Sequence, residues 1–102
     1  MRKAKVFVND DLAGSLIENN DGLYVFTYEK GYNKDAVSLT LPIREEPYKS
    51  EQFFSFFDGL IPEGWLLEIV KNNWKIKETD RMGLLLACCK DCIGNVRIEK
   101  DE

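Results

Sequence analysis

The hydrophobic pattern of this 102-residue chain changes its period near Pro42, and this change constrains the fold more than any other feature. Before Pro42, apolar and polar residues alternate in short runs, which is typical of half-buried strands. After Pro42, apolar residues recur at intervals of three and four, which indicates helices. The sequence therefore predicts an α+β fold and, because domains typically have about 100–150 residues, a single domain over residues 1–102.

Four strands are predicted before the change of period. Residues 5–8, 12–18 and 23–28 are separated by turn residues and form an antiparallel meander in the most economical arrangement. Gly14 lies inside the second strand, where it indicates a bulge or a close approach of two backbones. Residues 36–41 form the fourth predicted strand, which Pro42 ends because it lacks a ladder donor.

About three helices and a final strand are predicted after Pro42. Ser50 is a candidate N-cap for a first helix that contains Phe53 and ends near Asp58-Gly59. The second helix runs from Pro62 to about Lys75, and Thr79-Asp80 offers the N-cap of a third helix. We expect a last strand, with Val96 and Ile98, to return to the N-terminal sheet.

The two tryptophans differ in their predicted environment. At about 100° per residue, Trp74 falls on the apolar face of the second helix, and Trp65 falls roughly 140° from the centre of that face. Because tryptophan is enriched among interface hot spots, an exposed Trp65 is a candidate contact residue. The alternative is that Trp65 folds back over Phe57, Leu60 or Ile61, and the sequence leaves both open.

Composition excludes several function classes. The chain has no histidine, which excludes Ser–His and Cys–His catalysis and histidine zinc sites. Its formal charge of −4 argues against a dedicated nucleic-acid binder, and the basic group Arg2, Lys3 and Lys5 is interpreted as a solvated strand start. No apolar run is long enough for a membrane span, and no signal peptide is recognised, so we expect a cytoplasmic protein. Gly59 and Gly64 lack the Lys-Ser/Thr of a phosphate-binding loop, and the sequence contains no other catalytic motif, so we expect that it is not an enzyme.

The cysteines give a weak signal. Cys88, Cys89 and Cys92 include a Cys-x-x-Cys spacing but no second ligand pair. We therefore expect small apolar side chains at a helix end, and no cofactor or metal; a thiol-based metal or redox module is the alternative.

Two segments carry a family resemblance. Residues 53–65, FFSFFDGLIPEGW, resemble the F-x-x-L-L-P-E-G segment of the N-terminal domain of HipA-type kinases. Residues 80–96, which begin DRMGLL and end DCIGNV, resemble the later D-x-F-x-L-L and D-x-x-G-A-V segments of that domain. Met82, the Cys89-Lys90 pair and Asn95 depart from the pattern. The resemblance covers about residues 3 to 98 and implies the fold of this domain, an antiparallel meander joined by a C-terminal strand and packed against helices.

The resemblance also implies a function and partners. HipA-type toxins continue into a serine/threonine kinase core, so a chain that ends here is similar to the small HipS-like proteins of split, three-gene toxin–antitoxin systems. The implied partner is a separate, truncated HipA-type kinase, which the small protein would inhibit by contact. A third, HipB-like DNA-binding protein belongs to such systems, and the sequence leaves open whether it touches this chain.

The residues expected to bind the kinase follow from the same resemblance. Trp65 is the expected anchor, and Glu63 is expected to pair with a basic group of the kinase by charge complementarity. The full candidate set is Asp58, Ile61, Pro62, Glu63, Gly64 and Trp65. The alternative function is a structural subunit that completes the kinase and supports its activity, because an activator and an inhibitor would use the same surface.

Overall fold

The computed structural model describes residues 1–61, 68, 72–73, 75–77, 79–88 and 95–101. These residues form an α+β domain with one five-stranded antiparallel sheet and two helices. The sheet order is β4-β3-β2-β1-β5. The elements are β1 (Arg2–Val8), β2 (Asp11–Glu18), β3 (Tyr24–Tyr28), β4 (Tyr48–Ser50), α1 (Ser55–Asp58), α2 (Arg81–Cys88) and β5 (Val96–Lys100).

The predicted meander and the returning C-terminal strand are both confirmed. β1, β2 and β3 pair consecutively and antiparallel, as the intervening turn residues indicated. Asn9 and Asp10 adopt φ values of 51° and 68° in the first turn, a conformation that short polar side chains tolerate. β5 pairs antiparallel with β1, and Ile98 lies opposite Val6.

Gly14 has both properties that its position in a strand suggested. The β1–β2 register shifts between Val6 and Phe7, beside Gly14, which marks a bulge. An added Cβ at Gly14 would lie 2.4 Å from the carbonyl oxygen of Thr27 on β3. Glycine therefore permits the close approach of β2 and β3 at this point.

The predicted strand over residues 36–41 is wrong. This segment is a loop with a tight turn, in which the backbone N–H of Leu41 donates to the carbonyl of Ser38 (3.1 Å). The Ser38 hydroxyl accepts from the backbone N–H of Thr40 (3.2 Å), and such local bonds compete with strand pairing. The fourth strand is instead β4, which pairs with Tyr24–Phe26.

The predicted helix cap at Ser50 is also wrong. Ser50 is the last residue of β4, and its hydroxyl accepts from the backbone N–H of Gln52. α1 begins five residues later, its N-cap is Phe54, and no side chain caps it. The helix end was predicted correctly, because α1 stops at Asp58 and Gly59 follows as the C-cap.

One face of the sheet carries the hydrophobic core. Phe26 of β3 packs against Phe57 of α1, and their ring centroids are 5.4 Å apart. α2 buries Met82, Leu84 and Leu85 completely, and its start at Arg81 confirms the third helix that Thr79-Asp80 predicted. The predicted helix over residues 62–75 lies largely outside the described residues, although Glu68, Asn72 and Asn73 are helical and exposed. Within the described ranges no helix has the length and apolar character needed to cross a membrane.

Candidate partner-binding site

Four of the six predicted contact residues lie outside the described part of the chain. These are Pro62, Glu63, Gly64 and Trp65; Trp74 is outside it as well. Asp58 and Ile61 are described, and they stand immediately before those four residues. The structure therefore describes the chain just before the predicted site, up to Ile61.

Ile61 belongs to the hydrophobic core. Its side chain is only 4% exposed, and its backbone N–H donates to the carbonyl of Asp58 (3.2 Å). Burial of this side chain fixes the chain immediately before Pro62. The side chain of Ile61 is therefore engaged within the domain.

Asp58 forms an ion pair within the domain. Its Oδ1 accepts a hydrogen bond from Nε of Arg81 at 2.5 Å, and both side chains are partly exposed. Asp58 ends α1 and Arg81 begins α2, so the pair joins the two helices that flank residues 59–80. Since exposed ion pairs stabilise proteins by only about 0–1 kcal/mol, the contribution of this pair to stability is small. Its main effect is to join the end of α1 to the start of α2.

A second group of charges fixes the start of α2 to the sheet. The Arg2 guanidinium donates to both carboxylate oxygens of Asp80 (Nη2–Oδ1 2.7 Å, Nη1–Oδ2 3.0 Å) and, through Nε, to Glu18 (2.7 Å). The same Asp80 accepts from the backbone N–H of Gly83 (3.2 Å), which makes Asp80 the N-cap that the sequence predicted. The hydrogen bonds from Arg2 hold the pKa of Asp80 below its ordinary value, and burial opposes this effect.

The interpretation of Arg2 as a solvated residue needs correction. Lys3 and Lys5 are exposed as expected, but Arg2 makes two ion pairs, one of them across 78 sequence positions. No local sequence pattern predicts the Arg2–Asp80 pair, because its partners meet only through the tertiary fold. Arg2 therefore contributes to the fold, because it joins the start of α2 to the sheet.

The turn at residues 38–41 is a feature that sequence reasoning missed. Two tyrosine hydroxyls hold the loop that contains it. The buried Tyr28 hydroxyl accepts from the backbone N–H of Val37 (3.1 Å) and donates to the carbonyl of Leu41. Tyr48 donates to the carbonyl of Pro42 (2.6 Å). Burial raises the pKa of the Tyr28 hydroxyl above its ordinary value.

Within this turn Leu39 is completely exposed, with 101% of its reference surface open to solvent. Its neighbours Val37 and Leu41 are buried on either side of it. The sequence did contain a signal for the turn, since Ser38 and Thr40 ahead of Pro42 favour local side-chain bonds over strand pairing.

A cleft of about 740 Å³ lies beside the end of β3. Residues 27–33 and 43–45 line it, and both signs of charge occur, from Glu29 and Glu45 to Lys30 and Arg44. Arg44 is itself fixed, because its guanidinium lies 3.6 Å from the Tyr48 ring centroid and donates to the carbonyls of Glu46 and Pro47. In the described ranges no group of three or more His, Cys, Asp or Glu residues is arranged to hold a metal ion. Cys88 ends α2, and Cys89 and Cys92 lie outside these ranges.

Comparisons with known proteins agree with this architecture. The family model described as the HipA N-terminal domain matches residues 4–99, so the chain belongs to the HipA N-terminal domain family. A Haemophilus influenzae protein of uncharacterized function is 32% identical over 102 residues, which is all of this chain and 95% of that protein. A solved structure described as the N-terminal domain of HipA toxin is 30% identical with a TM-score of 0.78, and the match covers 100% of this chain and 94% of that one.

Proposed function

We propose that this chain is an antitoxin that binds a separate HipA-type serine/threonine kinase chain and inhibits it. The observation that carries the proposal is the full-length similarity to a structure described as the N-terminal domain of HipA toxin. A surface that packs against the rest of a protein within one chain can pack against the same partner as a separate chain. Such interfaces between domains resemble those between proteins.

Trp65 is the proposed anchor of this contact, together with Pro62, Glu63 and Gly64. These residues follow directly after Ile61, whose side chain is buried in the core. The ion pair of Asp58 with Arg81 gives Asp58 a role within the domain, so we propose that Asp58 supports the contact by holding α1 in place.

A structural subunit is the second candidate function. The same similarity favours it, because the matching structure is described as a domain of a toxin and not as an inhibitor. In this case the chain would complete the kinase and raise its activity. Under both candidates we propose no catalytic role and no cofactor for this chain, with a HipB-like DNA-binding protein as a further component of the toxin–antitoxin system.

Kinase assays separate the two candidates. The purified HipA-type kinase chain is incubated with ATP, and its autophosphorylation is measured while the wild-type chain is added to molar excess. The proposal predicts that phosphorylation falls as the complex forms and reaches its minimum near saturation. Increased phosphorylation would establish the structural subunit, and unchanged phosphorylation despite binding would exclude both candidates.

Trp65→Ala tests the anchor in the same assay, with Leu12→Asn on the sheet as a control. Removal of a central tryptophan anchor typically weakens binding by about 2 kcal/mol or more. We therefore expect inhibition by Trp65→Ala to need roughly 30-fold more protein. Full inhibition by a folded Trp65→Ala protein at wild-type concentration would show that the anchor lies elsewhere.

A further inference from the structure

β5 is an edge strand whose outer side carries no further strand in the described part of the chain. It comes last in the sheet order, where β1 is its neighbour. The side chains of Val96 and Ile98 are buried in the core, at 6% and 1% exposure. β5 is therefore held firmly in the domain, and an edge strand of this kind is a template on which another strand can pair.

The backbone hydrogen bonds between β1 and β5 show which groups of β5 point outward. At one end of the ladder the N–H of Asn9 donates to the carbonyl of Asn95 (2.8 Å). At the other end the N–H of Asp101 donates to the carbonyl of Lys3 (3.0 Å). Because bonded and non-bonded pairs alternate in an antiparallel ladder, the odd-numbered residues of β5 bond to β1. Ile98 has an even number, so its N–H and C=O point away from β1.

The two charged residues on either side of Ile98 lie on the sheet face opposite the core, because side chains alternate along a strand. Arg97 is fixed there, since its guanidinium donates to Asp10 (2.8 Å) and lies 4.3 Å from the ring centroid of Phe7. Its other terminal nitrogen lies 2.8 Å from a carboxylate oxygen of Glu99. The side chains of Arg97 and Glu99 remain 36% and 39% exposed. A cation and an anion therefore flank the outward-pointing backbone of Ile98.

A second copy of β5 fits this edge in one antiparallel register. Pairing of the outward-pointing residues about a two-fold axis places Ile98 opposite Ile98 of the second copy. Arg97 of each copy then lies opposite Glu99 of the other, which gives two cross-strand pairs of opposite charge. A shift of the register by two residues keeps the backbone bonding but places Arg97 opposite Arg97, or Glu99 opposite Glu99. Like charges directly opposite each other are destabilising, so both shifted registers are disfavoured.

We propose that two copies of this chain associate through β5 and form one continuous antiparallel sheet with five strands from each copy. The occupant is a second copy because its own charges complement the edge in the register that its backbone allows. This inference goes beyond the proposed function and does not depend on the kinase. Since five-residue strands make a small interface, the association belongs to the weak class that depends on concentration.

Sedimentation of the purified wild-type chain from micromolar to millimolar concentration tests the association. We expect the average mass to rise from that of a monomer toward that of a dimer across this range. Glu99→Lys places a cation opposite Arg97 in both pairs, so we expect it to associate at least about tenfold more weakly. Lys49→Glu is the matched control, because it reverses an exposed charge on β4 and should associate like the wild type.

Mixing of two charge-reversed variants tests the register itself. Arg97→Glu and Glu99→Lys should each associate more weakly than the wild type. An equimolar mixture restores opposite charges in both cross-strand pairs and should form a heterodimer with about the affinity of the wild type. Circular dichroism identifies any variant that does not fold, and the wild-type series with Glu99→Lys and Lys49→Glu decides the inference if Arg97→Glu is one of these.

Three results would overturn the inference. They are a wild type that stays monomeric at millimolar concentration, equal weakening by Lys49→Glu and Glu99→Lys, and a mixture of the two folded variants that stays monomeric. Each of these results leaves the proposed inhibition of the kinase untouched, because the kinase is absent from the experiment. Loss of kinase inhibition would likewise leave the association through β5 in place.

Discussion

The turn at residues 38–41 exposes its leucine, whereas helix α2 buries its leucines. α2 places Leu84 and Leu85 at complete burial against the sheet, and the turn exposes Leu39 completely. α2 is held mainly by apolar packing, whereas tyrosine and serine hydroxyls hold the turn. The difference teaches that leucines of one small domain can differ widely in what they contribute to folding, which substitutions can measure.

The largest effect is expected in α2. Leu84→Ala removes a completely buried side chain and should lower the free energy of unfolding by about 3 kcal/mol, from lost burial and the cavity that remains. Denaturation in urea, followed by tryptophan fluorescence or circular dichroism, measures the loss. A loss below about 1 kcal/mol would mean that α2 is not packed as the structure has it.

A smaller loss is expected for Tyr28→Phe, which removes the buried hydroxyl between Val37 and Leu41. Two buried backbone groups would lose their partner, and the expected decrease in unfolding free energy is about 1–3 kcal/mol. Tyr48→Phe is the matched control, because its hydroxyl bond to Pro42 is exposed and water can replace it. Equal losses for the two variants would contradict the role of Tyr28 in holding the loop.

Asp80 tests the polar attachment of α2. Asp80→Asn keeps a side-chain acceptor for the Gly83 N–H but removes the charge paired with Arg2, and we expect a loss of about 1 kcal/mol or less at pH 7, since the pair is partly exposed. Because the folded-state pKa of Asp80 is lowered, its stabilisation is present above the ordinary value of 3.8 and disappears as the pH falls through the folded-state pKa.

Unfolding curves of the wild type and Asp80→Asn across that pH range measure this effect. The difference in unfolding free energy between the two proteins should be constant from about pH 5 to 7 and shrink below the ordinary carboxyl pKa. A difference that grows as the pH falls would contradict a stabilising interaction between Arg2 and Asp80.

The smallest effect on stability is expected at Leu39 itself. Leu39→Ala should change the unfolding free energy by less than about 0.5 kcal/mol, because the side chain has no packing to lose. The same urea denaturation as for Leu84→Ala gives a direct comparison of the two leucines. A destabilisation near that of Leu84→Ala would show that Leu39 packs into the domain in solution.

Local pattern predicted the meander, the returning strand and the Asp80 cap, because turn residues and periodicity are properties of neighbouring residues. Local pattern failed over residues 36–41, where alternating apolar and polar residues suggested a strand. The segment is a loop because the hydroxyl of Tyr28, at least eight positions away, accepts a hydrogen bond from its backbone. It also missed the Arg2–Asp80 pair, whose partners meet only through the tertiary fold.

The functional candidates also differ in whether the local sequence could indicate them. A helical wheel indicated Trp65 as a contact residue from its own segment, and this stays a prediction. The exposure of Leu39 depends on bonds from a distant strand, so no periodicity could indicate it. Ile61 was expected at the contact, and its burial became apparent only from the packing of the core.

Growth of cells that express the HipA-type kinase tests the central claim most directly. Wild-type chain, Trp65→Ala and the control Leu12→Asn are each co-expressed with the kinase at matched soluble levels. The account predicts that wild type and Leu12→Asn restore growth and that Trp65→Ala does not. Persistent or stronger growth arrest with the soluble wild-type chain would contradict an antitoxin that inhibits this kinase.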